Sequence, residues 1–190
     1  MIEFKEWPKT PRLMRNITIT EKIDGTNAAI GIVFYDAAPD NPDDSIIAYV
    51  TSAEGIYGVY AQSRTRLITP GKMTDNYGFA GWVQLHAVEL VSALGEGLHY
   101  GEWWGNGIQR RYDMPEKWFS LFNVDRFKDL ETPLNMSAVP VLYRGPNDTV
   151  AVAESLKVLR ADGSVAAPGF MNPEGICVYS YASRTVSKVT

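Results

Sequence analysis

Two short apolar runs, Ile17–Ile19 and Ala28–Phe34, flank the polar stretch Thr20-Glu21-Lys22-Ile23-Asp24-Gly25-Thr26-Asn27. Runs this short and rich in β-branched residues predict strands, and the polar stretch predicts the tight connection between them. Ala28–Tyr35 reads as a buried strand. Asp36–Ser45, rich in Asp, Asn and Pro, predicts a solvated loop, and Ile46–Ser52 a strand hairpin-paired with the previous one. Residues 53–78 carry little helical periodicity. Trp82, Val83, His86, Ala87, Leu90, Val91 and Leu94 then recur at spacings of three and four, which predicts one amphipathic helix ended by Gly95 and Gly97. On that stripe His86 fits a packed core histidine better than a ligand or base.

Downstream, Leu98–Trp104 predicts a strand broken by Gly105 and Gly107, and Trp118–Phe127 another, dense in aromatics. Val139–Tyr143 reads as a short strand, with Arg144-Gly145-Pro146 as the turn after it. Val150–Leu159 predicts a second, weaker helix, and Ile176–Tyr181 and Thr185–Val189 the last two strands. The opening Met1–Arg15 is aromatic and basic, and Pro8 and Pro11 break any helix or central strand, so it reads as an extended surface segment. The pattern as a whole is α+β, a largely antiparallel sheet system with a few helices.

Composition narrows the class. A chain of 190 residues fits one ordinary domain, and 45% hydrophobic with 21% charged residues fits a globular protein. No apolar run is long enough to span a bilayer, and the N-terminus lacks a basic-then-apolar signal pattern. Cys177 is the single cysteine, which excludes an internal disulfide and fits a reducing, cytoplasmic setting. The net charge of −4 is unusual for a protein that grips a long duplex by its phosphates. Polynucleotide contact would need a local basic stripe, for which Arg64, Arg66, Arg110 and Arg111 are the candidates.

The candidate chemistry begins at Lys22. Gly25 allows a close approach of backbone to ligand, and Thr26 and Asn27 offer short polar side chains beside it. Lys22, flanked by Glu21 and Asp24, fits either a solvated lysine in a polar turn or a nucleophile that attacks a nucleotide phosphate, and alone these residues favour the first. Four other segments place polar groups among apolar ones. Glu102 lies in Tyr100-Gly101-Glu102-Trp103-Trp104-Gly105-Asn106-Gly107-Ile108-Gln109, and Glu174 in Asn172-Pro173-Glu174-Gly175-Ile176-Cys177-Val178-Tyr179. Arg64 lies in Ser63-Arg64-Thr65-Arg66, and Lys188 in the final strand. Each taken singly fits a rim carboxylate, a turn, a basic loop or an edge lysine that discourages aggregation.

Taken in order, these segments resemble the covalent nucleotidyltransferase superfamily of ATP-dependent ligases and capping enzymes. The closer resemblance is to its ATP-dependent RNA ligase branch, carried by Glu21-Lys22-Ile23-Asp24-Gly25-Thr26-Asn27 and Gly101–Gln109. It covers the chain from about Pro8 to Lys188. It implies an antiparallel-sheet nucleotidyltransferase (ATP-grasp-like ligase adenylation) domain with flanking helices. It further implies that Lys22 attacks the ATP α-phosphate, becomes lysyl-AMP and releases pyrophosphate. Arg64 would contact the nucleotide or the 5′-phosphate end, Glu102 the ribose hydroxyls, and Phe122 the adenine face, with Phe119 the neighbouring candidate for that place. Glu174 would stand near the lysine and a catalytic Mg²⁺ or Mn²⁺, Lys188 would contact the α-phosphate, and Glu21, Asp24, Gly25, Thr26 and Asn27 would line the nucleotide site. These residue types suit that chemistry. Carboxylates are hard ligands for Mg²⁺, cations neutralise charge developing on phosphate oxygens, and base stacking contributes roughly 1–3 kcal/mol.

Two departures qualify the resemblance. Val186 stands where the last motif usually carries its first lysine, leaving only Lys188. No length remains after Thr190 for an OB-fold or helical module. The expectation is one minimal adenylyltransferase domain over residues 1–190, with ATP and the 5′-phosphate and 3′-hydroxyl ends of RNA as partners and no membrane. Its expected reaction is self-adenylylation, AMP transfer to an RNA 5′-phosphate and sealing by a 3′-hydroxyl. The alternatives are adenylylation of another phosphate end, or a non-catalytic ATP-binding module. Cys177, with no base partner in the sequence, reads as a packed core residue.

Overall fold

Alternation along the first strand sets the first of two sheets. In β1 (Asn16–Lys22), Ile17 and Ile19 are fully buried on one face, while Thr18, Thr20 and Lys22 line the other. The computed structural model describes residues 3–7, 9–10 and 15–190, so residues 1–2, 8 and 11–14 of the opening segment, read as extended, lie outside the described residues. The chain divides into two units, one of Met1–Lys22 with Pro140–Thr190 and one of Ile23–Val139.

The first unit is a four-stranded antiparallel sheet in the order β11-β10-β1-β9, where β9 is Val141–Pro146, β10 is Gly175–Ser180 and β11 is Thr185–Val189. The register sets Lys22 opposite Gly175, Thr20 opposite Cys177 and Thr18 opposite Tyr179. Lys188 in turn stands opposite Cys177, and Val186 opposite Tyr179. Helix α3 (Thr149–Asp162) covers the other face, packing Leu159, Val152 and Leu156 on Ile17, Ile19 and Ile176. Its N-cap Asp148 accepts the Val150 N–H, and Gly163 ends it at φ 86°. A bulge between Ile19 and Thr20 breaks the β1–β9 ladder, and the Glu21 N–H turns to the Pro140 carbonyl.

The second unit is a seven-stranded sheet. It is built from β2 (Thr26–Tyr35), β3 (Ala48–Thr51), β4 (Ile56–Ser63), β5 (Leu67–Ile68), β6 (Gly97–Gly105), β7 (Lys117–Leu121) and β8 (Met136–Ala138). The order is β3-β4-β2-β6-β7-β8, with β5 on β4 and only the β7–β8 pair parallel. Helices α1 (Phe79–Leu85) and α2 (Ala87–Leu94) pack on one face. They bury Phe79, Val83, Leu90 and Leu94 against Ile30, Ile32, Trp103 and Phe119.

The α+β, mainly antiparallel architecture agrees with the sequence reading, and several elements correct it. β1 and β2 belong to different sheets. Residues 48–51, within the strand expected over 46–52, pair not with β2 but with β4, a segment whose sequence predicts no element. The expected single helix is two, because His86 (φ −109°, ψ 22°) leaves the helical conformation and is half-buried beside Trp82 rather than in the core. The strand expected over 118–127 stops at Leu121, where the chain turns through 124–126. Arg144-Gly145-Pro146 is part of β9 rather than a turn, and Cys177 is half-buried on the face carrying Lys22, outside the core.

Candidate active site

The motif of residues 21–27 straddles the boundary between the two units, and its side chains build one cluster in each. In the first unit, Lys22 ends β1 with its ammonium donating to Glu174 Oε2 at 2.5 Å. The contact is fixed by register, since Glu174 precedes Gly175, the partner of Lys22 in the ladder. Both side chains keep partial access to solvent. The pair can therefore still meet a ligand from outside.

Glu21, one residue earlier, points to the opposite face. It is 1% exposed, and its carboxylate accepts the Ser164 hydroxyl at 2.6 Å and the Val165 and Ala166 N–H groups at 2.8 and 2.9 Å. An ionised buried carboxylate is costly unless hydrogen-bonded, and these three donors meet that need. Its oxygens are engaged by the turn at 164–166, so the structure gives Glu21 a protein ligand set rather than a nucleotide-facing one.

Lys188 shares the face of Lys22 but lies one row away along the sheet and two strands across, and it is exposed. Position 186 is a further row from Lys22. The missing lysine is thus the more distant of the two.

In the second unit, Asn27 and Glu102 are direct partners in the β2–β6 ladder, on the face away from the helices. Glu102 Oε2 accepts the Asn27 amide at 2.7 Å, and Oε1 accepts the Gly25 N–H at 3.1 Å. The Asn27 amide oxygen accepts Arg64 Nε at 2.9 Å, so Arg64, Asn27 and Glu102 form one chain of hydrogen bonds. Thr26 points the other way and takes the Asn76 amide. Gly25 tolerates no side chain, since a Cβ there would sit 2.4 Å from the Trp103 carbonyl oxygen. Phe122 lies just past β7, half-exposed, its N–H bonded to the Tyr100 carbonyl. Phe119 is fully buried under the helices and out of contention for stacking on a ligand.

Asp24 and Arg110, both candidates in the sequence, meet in the second cluster together with Tyr112, which the sequence did not mark. Asp24 accepts Arg110 Nε at 2.8 Å, and its N–H donates to the hydroxyl of buried Tyr112 at 2.8 Å. The loop supplying both holds Gln109, Arg111, Tyr112 and Asp113 at φ between 43° and 61°. Such conformations cost side-chain-bearing residues of order 1 kcal/mol each, and here buried Ile108 and Tyr112 maintain them. The one sequence signal was the unbroken polar run Gln109–Arg111 after Ile108. Of the basic stripe, Arg64, Arg66 and Arg110 are each tied to a protein acceptor.

Among the described residues no group of three or more His, Cys, Asp or Glu side chains is placed to hold a metal ion. The donors still suit Mg²⁺, which keeps several waters and takes one or two carboxylates together with substrate phosphates. Glu174 is the carboxylate of this chain that fits that use. No helix among the described residues is long and apolar enough to cross a membrane.

Residues 15–190 match the family model described as RNA ligase, and the chain belongs to that family. Among solved structures, it resembles RNA ligases of Naegleria gruberi. An apo variant superposes with a TM-score of 0.54 at 14% identity, covering 94% of this chain and 50% of that one. A variant with AMP and Mn gives 0.53 at 14%, and a variant with ATP and Mn 0.53 at 15%, each over 93% of this chain and 50% of the other. This chain thus spans about half the length of those structures, and at such identity the likeness establishes the fold. Curated proteins give no match.

Proposed function

We propose that the chain is an ATP-dependent RNA ligase whose residues 1–190 serve as one adenylyltransferase domain. The observation that carries this reading is Lys22 held against Glu174 at the head of the Glu-Lys-Ile-Asp-Gly-Thr-Asn motif. A lysine ammonium must lose a proton before its nitrogen can attack phosphorus. Glu174, already hydrogen-bonded to that proton, is the acceptor, and it would hold the metal once it has passed the proton on to solvent. The Lys22 nitrogen then bonds to the ATP α-phosphorus, the bond to the pyrophosphate oxygen breaks, and lysyl-AMP remains. Mg²⁺ or Mn²⁺, when bound, supplies charge neutralisation on the phosphate oxygens. On this reading Glu102 contacts the ribose hydroxyls, Asn27 lines the nucleotide site, Phe122 stacks on the adenine, Arg64 contacts the nucleotide or the 5′-phosphate end, and Lys188 contacts the α-phosphate. AMP passes to an RNA 5′-phosphate, and a 3′-hydroxyl displaces it to seal the strand. The Naegleria gruberi structures with ATP, AMP and Mn support ATP and a divalent metal as the co-substrate and cofactor.

Incubation with ATP and Mg²⁺ followed by intact mass measurement tests the reading. A gain of one adenylyl group, absent in Lys22→Ala, is the expected result. The second reading, an ATP-binding module without covalent chemistry, draws on Val186 in place of a lysine, and ATP binding without a mass gain would select it.

A further inference from the structure

The sheet face that carries Lys22 continues past it into a groove. Two residues back along β1 lies Thr20, in line with Cys177 and Lys188, and four residues back lies Thr18, about 13 Å away at strand rise. There the sheet opens into a groove of about 610 Å³ lined by Arg15, Asn16, Thr18, Arg144 and Tyr181, among others. Arg144 stands directly opposite Thr18 in the β1–β9 ladder, which places it on the same face. Lys22, Lys188 and Arg144 therefore follow one another along one face, and Arg15 lines the groove at its end, in a chain whose net charge is −4. The four strands add no carboxylate to that face, because their single acidic residue, Glu21, lies on the other.

The groove also has an aromatic wall. The Tyr181 hydroxyl is hydrogen-bonded to Thr18 Oγ1 at 2.9 Å, and its ring meets Tyr179 edge-on at 5.0 Å. Tyr181 is held in place yet remains 39% exposed. Guanidinium groups lining one groove and a fixed, accessible ring are two elements that hold single-stranded nucleic acid, one for phosphates and one for a base.

We propose that this groove holds the RNA strand that leads to the reacting end. Arg144 takes a phosphate about 13 Å before Lys22 and Arg15 one farther out, and Tyr181 stacks one base. The inference rests on the ligase reading for the identity of its ligand. It places the polynucleotide path on the first unit rather than on Arg64, Arg66, Arg110 and Arg111, which belong to the second.

The test is fluorescence anisotropy of a labelled single-stranded RNA bearing a 5′-phosphate, titrated with the full chain at several salt concentrations. Each phosphate contact on a single strand contributes about 0.7 to the slope of log affinity against log salt. Arg15→Ala with Arg144→Ala should lower that slope by about 1.4, and Arg144→Lys should restore its half. Tyr181→Ala should weaken binding on the order of tenfold, whereas Tyr181→Phe, which keeps the ring, should bind nearly as the parent does. Should the double variant melt early, Arg144→Gln alone must still lower the slope by about 0.7. An unchanged slope in folded variants overturns the groove. Covalent labelling of the unaltered protein by ATP is scored separately. Labelling with an unchanged slope rejects the groove and keeps the ligase reading; a lowered slope without labelling does the reverse.

Discussion

The Lys22 ammonium and the Glu174 carboxylate, 152 residues apart in sequence, meet at 2.5 Å because β1 and β10 are antiparallel neighbours. The proton-acceptor role proposed for Glu174 has a kinetic signature. Glu174→Gln keeps the shape and a hydrogen-bond acceptor but cannot take the proton. The rate of lysyl-AMP formation should fall by about 10²-fold or more, with the melting temperature close to that of the parent. Rapid-quench measurement of the label checks this. A rate unchanged at saturating ATP and metal would remove Glu174 from the proton path.

Gly25 supports a second prediction. Its backbone passes so close to Trp103 and Trp104 that a methyl group would overlap both the Trp103 carbonyl oxygen and the Trp104 Cβ. Gly25→Ala should therefore push the turn off the sheet, lengthen the Gly25–Glu102 hydrogen bond and destabilise the fold by about 1–3 kcal/mol. Chemical denaturation measures the loss. Glu102→Gln probes the same contact from the other side. Its amide must present a donor to either the Gly25 N–H or the Asn27 amide, both donors themselves, so it should destabilise nearly as much as Glu102→Ala.

Strand-forming segments were readable wherever β-branched alternation was uninterrupted, as in β1, β2 and β10, because that pattern is local. Partners were not, since pairing depends on register between distant segments. Nothing near Lys22 indicates that Gly175 is its neighbour. β4 was missed because Gly58 and Tyr60 interrupt its apolar alternation, although Tyr60 closes over Gly31 and Tyr35 over Gly58. The helix break at His86 left no trace in the spacing, which continues in phase across it. At the site, Glu102 and Glu174 stood out as polar groups in apolar surroundings, and Lys22 and Asn27 as members of the motif 21–27. Tyr112 and Ser164 gave no such signal, since a buried hydroxyl is ordinary until its partner is known.

His99 supplies a pH prediction. It is 3% exposed, its Nε2 lies 2.9 Å from the Gly95 carbonyl oxygen, and its ring meets Phe127 edge-on. Burial lowers its pKa below the ordinary 6.5, with the Arg126 charge acting in the same direction and the Gly95 hydrogen bond against it. The unfolded chain therefore binds this proton at higher pH than the folded one does. The contribution to stability is complete above pH of about 6.5 and is lost as the pH falls towards the folded value. Melting temperature followed from neutral to mildly acidic pH should decline more steeply for the parent than for His99→Gln. Parallel curves would show that His99 takes no part.

Glu21 separates two roles that its place in the motif leaves confounded. As a ligand contact, its loss would raise the KM for ATP and leave the fold alone. As the acceptor of the Ser164 hydroxyl and two backbone N–H groups, its loss strips the turn that leads into the segment carrying Glu174. Glu21→Ala leaves those donors without an acceptor and opens a cavity behind β1, which should cost about 2–4 kcal/mol. Glu21→Gln can present its amide oxygen to the two N–H groups and its NH₂ to the Ser164 oxygen, whose hydroxyl hydrogen rotates away. It should keep most of the stability. The same ranking should extend to catalysis: Glu21→Ala lowers the rate of lysyl-AMP formation by displacing Glu174, and Glu21→Gln does so far less, with the KM for ATP nearly constant in both. Denaturation curves paired with single-turnover labelling over a range of ATP concentrations check it. A stable Glu21→Ala protein with a raised KM would return the residue to the nucleotide.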